Sequence, residues 1–478
     1  MSGVGVKTRL LYGCGGAVYA VKESAYTMFI LLFYTQVLGL SGWLTGVIIG
    51  ISLLWDGISD PLVGALSDRM SSRWGRRHPF MLISTVPMGL GFIGLFSPPA
   101  AIAANDTQLA LWLLFWSLWV RTFITGFSIP HLALSTEISS DYAGRSQVLG
   151  ARMAFMFLFG VLVPALAFTF IFPEQNGVDE RFNASRYPLY GALSCAVAWL
   201  MASISMLGTR QFIQRSSSTL KQHNPSQGLL ALASDLVRTL KNRTFRLLIG
   251  YELTVSISYG TVVTLNILAW TYFWEFSSRE ISMILAVPSV IAIVLVMTSL
   301  GPLSRRFQKY QLLRVANIVI ILDMLWLYPL RVMDLLPENG SNIILWLNFV
   351  FMLIFIYCFL LRTIAASSMV ADIADEHELE HGLRQEAGFF SVVNFLYKTA
   401  SAVGPLYAGA ALDIIGLHDG LLPGEVPQSI LNNLALAMGL GAIPALLVGL
   451  YFIFQINMNR EQVAQIQAAL AKRRQAAL

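Results

Sequence analysis

The chain has 478 residues, of which 56% are hydrophobic and only 12% charged, with a formal net charge of +5. A soluble domain carries about 25% charged residues, so this composition excludes a water-soluble globular protein and points to a polytopic membrane protein. The small positive excess suits basic loops on one side of a bilayer rather than a nucleic-acid surface.

Apolar runs long enough to cross a ~30 Å hydrocarbon core as helices recur along the whole chain. Twelve spans are expected, near 10–38, 44–67, 78–98, 108–132, 149–172, 187–208, 244–273, 279–303, 311–333, 341–371, 387–413 and 430–456. The first is too long for a signal-peptide core and lacks a small-residue cleavage site, so it reads as a retained span. Cys14, Cys195 and Cys358 fall inside spans and suit small buried hydrophobes. The expected fold is all-α, with twelve transmembrane helices in two six-helix bundles. The bundles cover 1–208 and 244–456, joined by a Ser/Gln/Lys/Arg-rich cytoplasmic linker at 209–243 and followed by a cytoplasmic tail at 457–478.

Alternate loops differ in charge. The 2–3 loop carries Arg69, Arg73, Arg76 and Arg77, the central loop six Lys and Arg including Arg210 and Lys241, and the 8–9 loop Arg305, Arg306 and Lys309. The positive-inside rule then puts both termini in the cytoplasm. The halves also echo each other: VGALSDR (63–69) with LGPLSRR (300–306), and EISSDYAGRSQ (137–147) with DIADEHELEHGLRQE (372–386). A repeat in a six-plus-six plan marks a rocking-bundle transporter with its site between the halves.

Charges inside the spans are the exceptions: Lys22, Glu23, Asp56, Asp60, Arg121, Arg152, Glu252, Arg362 and Lys398. Each costs about 2.5–3.5 kcal/mol at mid-bilayer on insertion scales, so each should face a cavity or a partner. In WDGISDP (55–61) the two acids are four apart and share a helical face. Such a pair in low dielectric needs a proton or a hard cation such as Na⁺, with oxygen ligands that Ser59 and Thr125 could complete. The alternative is a pair salt-bridged to an arginine or lysine, with no ion. Lys398 is expected to compete with the ion for these carboxylates. Arg121 could line the cavity or snorkel, and Glu252, near a helix end, is expected to be solvated. Asp68, Arg69, Glu137, Asp141, Arg145, Asp372, Asp375 and Arg384 lie at matching helix ends of the two halves. They could latch the cytoplasmic side, or be solvated loop charges worth about 0–1 kcal/mol per pair.

YGCGGAVYAVKESAY (12–26), YTQVLGLS (34–41), WDGISDPLVGALSDRMSSRWGRRHPFML (55–82), MVADIADEHE (369–378) and FFSVVNFLYKTASAVG (389–404) together resemble the glycoside–pentoside–hexuronide:cation symporter family of the major facilitator superfamily. The resemblance implies that Asp56, Asp60 and Thr125 form the cation site, with Ser59 standing where the family pattern has an asparagine. It implies roles for the helix 11 lysine at Lys398 and the helix 5 arginine at Arg152. The helix 1 sugar-binding aspartate corresponds to Glu23. The helix 4 aspartate, a stacking aromatic and the helix 10 tryptophan correspond to Ser128, Leu132 and Thr363, three departures in the sugar half. Trp55, Trp116, Trp119, Tyr26, Tyr397 and Asn394 are the other sugar-site candidates.

The expectation is a Na⁺- or H⁺-coupled symporter importing a sugar or glycoside by alternating access in a bacterial inner membrane. Its partners are a small-molecule substrate and the bilayer, with no nucleic acid and no cofactor beyond the coupling ion, and a monomer is expected. Lysolipid or another non-sugar cargo is the alternative, since an animal branch of the wider family moves lysophospholipids. A non-transporting receptor or scaffold is the second alternative. An enzyme is not expected, because no His-rich metal set or nucleophile motif is present.

Overall fold

Hydrocarbon offers the backbone no hydrogen-bond partner, so an apolar run must satisfy itself as a helix. The computed structural model describes residues 4–70, 72–139, 142–175, 178–213, 239–381 and 386–476. Among the described residues the apolar runs form twelve rods, followed by a polar helix. Rod α1 covers residues 6–37 and alternates α-helix with π turns at Ala25–Phe29 and Phe33–Val37. Next come α2 (Gly42–Arg69), α3 (His78–Leu95), α4 (Asp106–Ile138), α5 (Tyr142–Leu166, then a π turn at Ala167–Ile171) and α6 (Tyr187–Thr209). The second set is α7 (Arg243–Leu268, then a π turn at Ala269–Phe273), α8 (Ser278–Arg306), α9 (Lys309–Met324, then Leu327–Val332) and α10 (Asn342–His381). It ends with α11, in two pieces at Glu386–Ser401 and Val403–Ile415, and α12 (Gln428–Phe454); the polar helix α13 (Arg460–Ala476) follows. Ten of the rods are long and apolar enough to cross a membrane; α1 and α11 are not among them. Among the described residues the connections hold a short helix at Ala100–Ala103, 3-10 turns, and a two-residue antiparallel pair, Glu174 opposite Asp179 and Gln175 opposite Val178.

The largest departures from the expected boundaries are extensions. Helix α4 runs to Ile138 and α10 to His381, past the expected 132 and 371. Hydropathy marks where hydrocarbon ends, whereas a helix continues until a residue breaks it, and STEI and DIADEHE contain no breaker.

The chain divides into two compact units. Unit 1 comprises Met1–Leu229, Ser277–Ser282 and Ala408–Glu425; unit 2 comprises Leu230–Phe276, Met283–Tyr407 and Val426–Leu478. In unit 1 an aromatic core fills the space between α1, α3, α5 and α6: Phe33 stacks on Tyr187 at 4.0 Å and Phe29 meets Tyr190 at 4.2 Å. In unit 2 Trp274 packs on Phe273 at 4.9 Å and on Tyr328 at 5.5 Å.

The two sets of six share a local device. Leu38 N–H donates to Phe33 O at 3.0 Å and Leu40 N–H to Tyr34 O at 2.8 Å, while Trp274 N–H donates to Ala269 O at 2.9 Å and Phe276 N–H to Trp270 O at 2.8 Å. Steps of five and then six residues thus end both α1 and α7.

Close packing in unit 2 depends on Gly404. A Cβ there would lie 2.2 Å from the backbone of Gly260, whereas a Cβ at Gly160 would meet nothing within 4 Å. Gly404→Val should therefore destabilise by about 1–3 kcal/mol or more through overpacking. Gly160→Ala should leave thermal unfolding in detergent unchanged or slightly later.

Candidate functional site

Helix α2 carries WDGISDP into unit 1. Pro61 has no N–H, so the carbonyl of Gly57 loses its helical donor between the two aspartates. Asp56 is 2% exposed. Its Oδ2 accepts from Arg121 Nη1 of α4 at 2.5 Å and from Lys22 Nζ of α1 at 3.3 Å. Arg121 also donates through Nε to Ser52 Oγ at 2.8 Å and lies 4.2 Å over the Tyr26 ring. Lys22 reaches the other way as well, to Glu23 Oε1 at 2.9 Å. Asp60, half-buried, accepts from Thr125 Oγ1 at 2.9 Å, and Ser59 Oγ lies 3.4 Å from the same hydroxyl.

At Asp56 the alternative of a salt bridge is present. Asp56 is held by an arginine and a lysine of its own unit, so it does not need an ion to be tolerated in hydrocarbon. Arg121 does not snorkel; it is 1% exposed and committed to Asp56. Lys22, Arg121, Glu23, Asp56 and Asp60 together carry one more acid than base. Among the described residues no group of three or more His, Cys, Asp or Glu side chains is gathered as for a metal ion. A cation at Asp56 and Asp60 would therefore draw its remaining ligands from hydroxyl and carbonyl oxygens, the chemistry of a hard cation.

The other polar candidates of unit 1 are less engaged. The Glu23 side chain is 44% exposed. Ser128 is 6% exposed and its Oγ has no partner. Arg152, on α5, is 7% exposed, has an unpartnered Nε and makes no ion pair among the described residues. Its backbone packs against α1 because α1 is glycine at the contact: a Cβ on Gly16 would lie 2.1 Å from Arg152 O. Gly16 and Glu23 are seven residues apart, two turns on one face, which sets them about 10 Å apart along α1. Tyr26, Trp55 and Trp119 spend their polar atoms on Ser117 O, Thr122 Oγ1 and Pro87 O, as packing residues do.

In unit 2, Thr363 is exposed and donates to Phe359 O at 2.7 Å; Asn394 is exposed and Lys398 half-buried on α11. Glu252 was expected in solvent and is instead 7% exposed, gripped by Arg362 Nη2 at 2.7 and 2.6 Å. Sequence reasoning also assigned Lys22 no role. The available signal was that the intramembrane charges come in both signs, which requires pairs.

The charges at the helix ends pair within each unit. Arg76 reaches Glu137 at 3.1 Å and Arg77 reaches it at 3.5 Å while also bonding Asp68. Lys309 meets Asp372 at 2.5 Å. Thus in both halves a base just before α3 or at the start of α9 is tied to an acid near the end of α4 or α10. Arg145 is exposed, and Asp375 accepts from Gln467 at 3.4 Å. Asp141, Arg384 and the Arg69 side chain lie outside the described residues.

Removing one partner from a buried pair leaves charge uncompensated, at a cost of about 3–5 kcal/mol. Asp56→Asn should therefore lower stability by about that amount, and the Asp56→Asn/Arg121→Gln double variant should recover much of it, measured by thermal unfolding in detergent.

The family model for MFS/sugar transport proteins matches residues 11–460. The chain is similar to the uncharacterized symporter sll1374 of Synechocystis sp., at 24% identity over 98% of this chain and 97% of that protein. It is similar to the sodium-dependent lysophosphatidylcholine symporter 1 of Xenopus tropicalis, at 24% identity over 97% of this chain and 90% of that protein. Its fold is that of the nucleoside transporter NupG in a crystal structure, with a TM-score of 0.62, 14% identity, and 95% of this chain and 99% of that chain covered.

Proposed function

The chain belongs to the MFS/sugar transport protein family, and from that premise we propose that this cation-coupled symporter imports a sugar or glycoside by alternating access. The observation that carries the reading is the presence in unit 1 of two buried polar atoms without a partner, Arg152 Nε and Ser128 Oγ, and of the partly exposed carboxylate of Glu23, which Lys22 holds from one side. Each sugar hydroxyl both gives and accepts a hydrogen bond. A planar guanidinium offers several donors, a carboxylate several acceptors and a serine both. The basic loops support cytoplasmic termini in a bacterial inner membrane.

The coupling ion, Na⁺ or H⁺, binds at Asp60 with Thr125, Ser59 and Asp56. Lys22 links this site to the substrate site, because one ammonium touches both Asp56 and Glu23. An ion arriving on the α2 carboxylates weakens the hold of Asp56 on Lys22, which then leans on Glu23 and orients it for the solute. The solute, by the same contacts, favours the ion, since coupling between two sites is reciprocal.

A second reading is lysolipid cargo. It is supported by the exposed Leu132, which stands where the resembled family has an aromatic, and by the near full-length similarity to a lysophosphatidylcholine symporter. Arg152 would then hold the phosphate.

In proteoliposomes, a sugar panel and lysophosphatidylcholine should be offered under a Na⁺ gradient and then a pH gradient. Cation-driven sugar uptake that Asp60→Asn abolishes is the expected outcome; lysolipid uptake alone would select the second reading. Lys22→Gln should keep substrate binding but lose most of its dependence on the cation, as read by binding isotherms with and without the ion.

A further inference from the structure

Away from the intramembrane charges, unit 2 carries a groove of about 590 Å³ walled by α8, α9 and α10. It follows α8 from Leu295 to Phe307, about 18 Å at 1.5 Å per residue. Val315 of α9 and Leu353 of α10 form the opposite walls. The walls are mostly apolar, and two of the few hydroxyls close on each other, Ser299 Oγ and Tyr357 Oη at 2.9 Å. At Phe307 and Leu312 the groove meets a second recess of about 380 Å³ that holds Gln308, Lys309, Asn459 and Arg460.

The two recesses share a lining, so they form one trough, apolar along its length and polar at its mouth. Its length is slightly more than half of a ~30 Å hydrocarbon core, the depth of a single leaflet. Water would find few partners in it. The mouth lies at the end of α8 where Arg305 and Arg306 are exposed and make no ion pair among the described residues. Lys309 is committed to Asp372, and Arg460 caps α8 through Ser304 O and Phe307 O. The remaining field at the mouth is therefore positive.

We infer that this trough is a binding site for one acyl chain of an anionic glycerophospholipid from the leaflet on the side of the basic loops, its headgroup against Arg305 and Arg306. The site lies within unit 2 and is independent of what the carrier transports.

The test uses the full chain, delipidated in detergent, with phosphatidylglycerol or zwitterionic phosphatidylethanolamine added back. Native mass spectrometry counts retained lipid, and thermal unfolding reports protection. Wild type should retain phosphatidylglycerol preferentially. Val315→Trp, which fills the groove, should weaken that retention about tenfold. Arg305→Gln/Arg306→Gln leaves the groove intact and should abolish the preference for the anionic lipid, which decides the matter if Val315→Trp does not fold. Equal retention of the two lipids by wild type, or undiminished phosphatidylglycerol on folded Val315→Trp, would overturn the site.

Discussion

A carboxylate deep in hydrocarbon must be matched by positive charge, and Asp56 is matched twice, by Arg121 and Lys22. Three helices, α1, α2 and α4, therefore meet at one oxygen. The arrangement fixes their rotation: turn α2 by one residue and Asp56 leaves Arg121 without a partner, at a cost far above what any single apolar contact could offset. Around that fixed point the other polar groups fall into place, with Thr125 on Asp60, Ser52 on Arg121, and Glu23 on the free side of Lys22. A buried ion pair of this kind contributes more to register than to stability.

In the proposed cycle the same cluster is an element common to ion and solute. Ion and solute need not touch if each changes the standing of one shared side chain. Lys22 has that position, with one acid on either side. Whatever lowers its interaction with one raises its availability to the other, and the energetic link is confined to a few ångströms.

Much of this was legible in the sequence, and the reason differs by level. The rods were legible because hydrocarbon admits few alternatives to a helix. The ionisable residues stood out because each is expensive where it lies. Partnerships were another matter. Spacing of four residues places Asp56 and Asp60 on one face, but nothing local says that Arg121, on another helix, will occupy Asp56. Glu252 read as solvated from its place near a helix end, whereas Arg362, 110 residues on, buries it. The acids at the ends of α4 and α10 were legible as a repeat. That each is tied to a base of its own half, Glu137 to Arg76 and Arg77, Asp372 to Lys309, required coordinates.

The wide turns in α1 have a consequence for how such a chain can change. A π turn holds one residue more than an α-turn, so everything beyond it is rotated by roughly one residue's worth of angle, about 100°. In α1 the first such turn begins two residues after Glu23, and the buried aromatics Phe29, Phe33 and Tyr34 lie in and beyond it. The stretch that carries Lys22 and Glu23 and the stretch that carries the aromatic residues therefore keep separate rotational registers. Substitutions on the first piece can be sampled without disturbing the aromatic packing, whereas loss of a single residue between 25 and 37 would swing one piece against the other. The charged stretch can thus change its side chains while the aromatic packing beyond it stays the same.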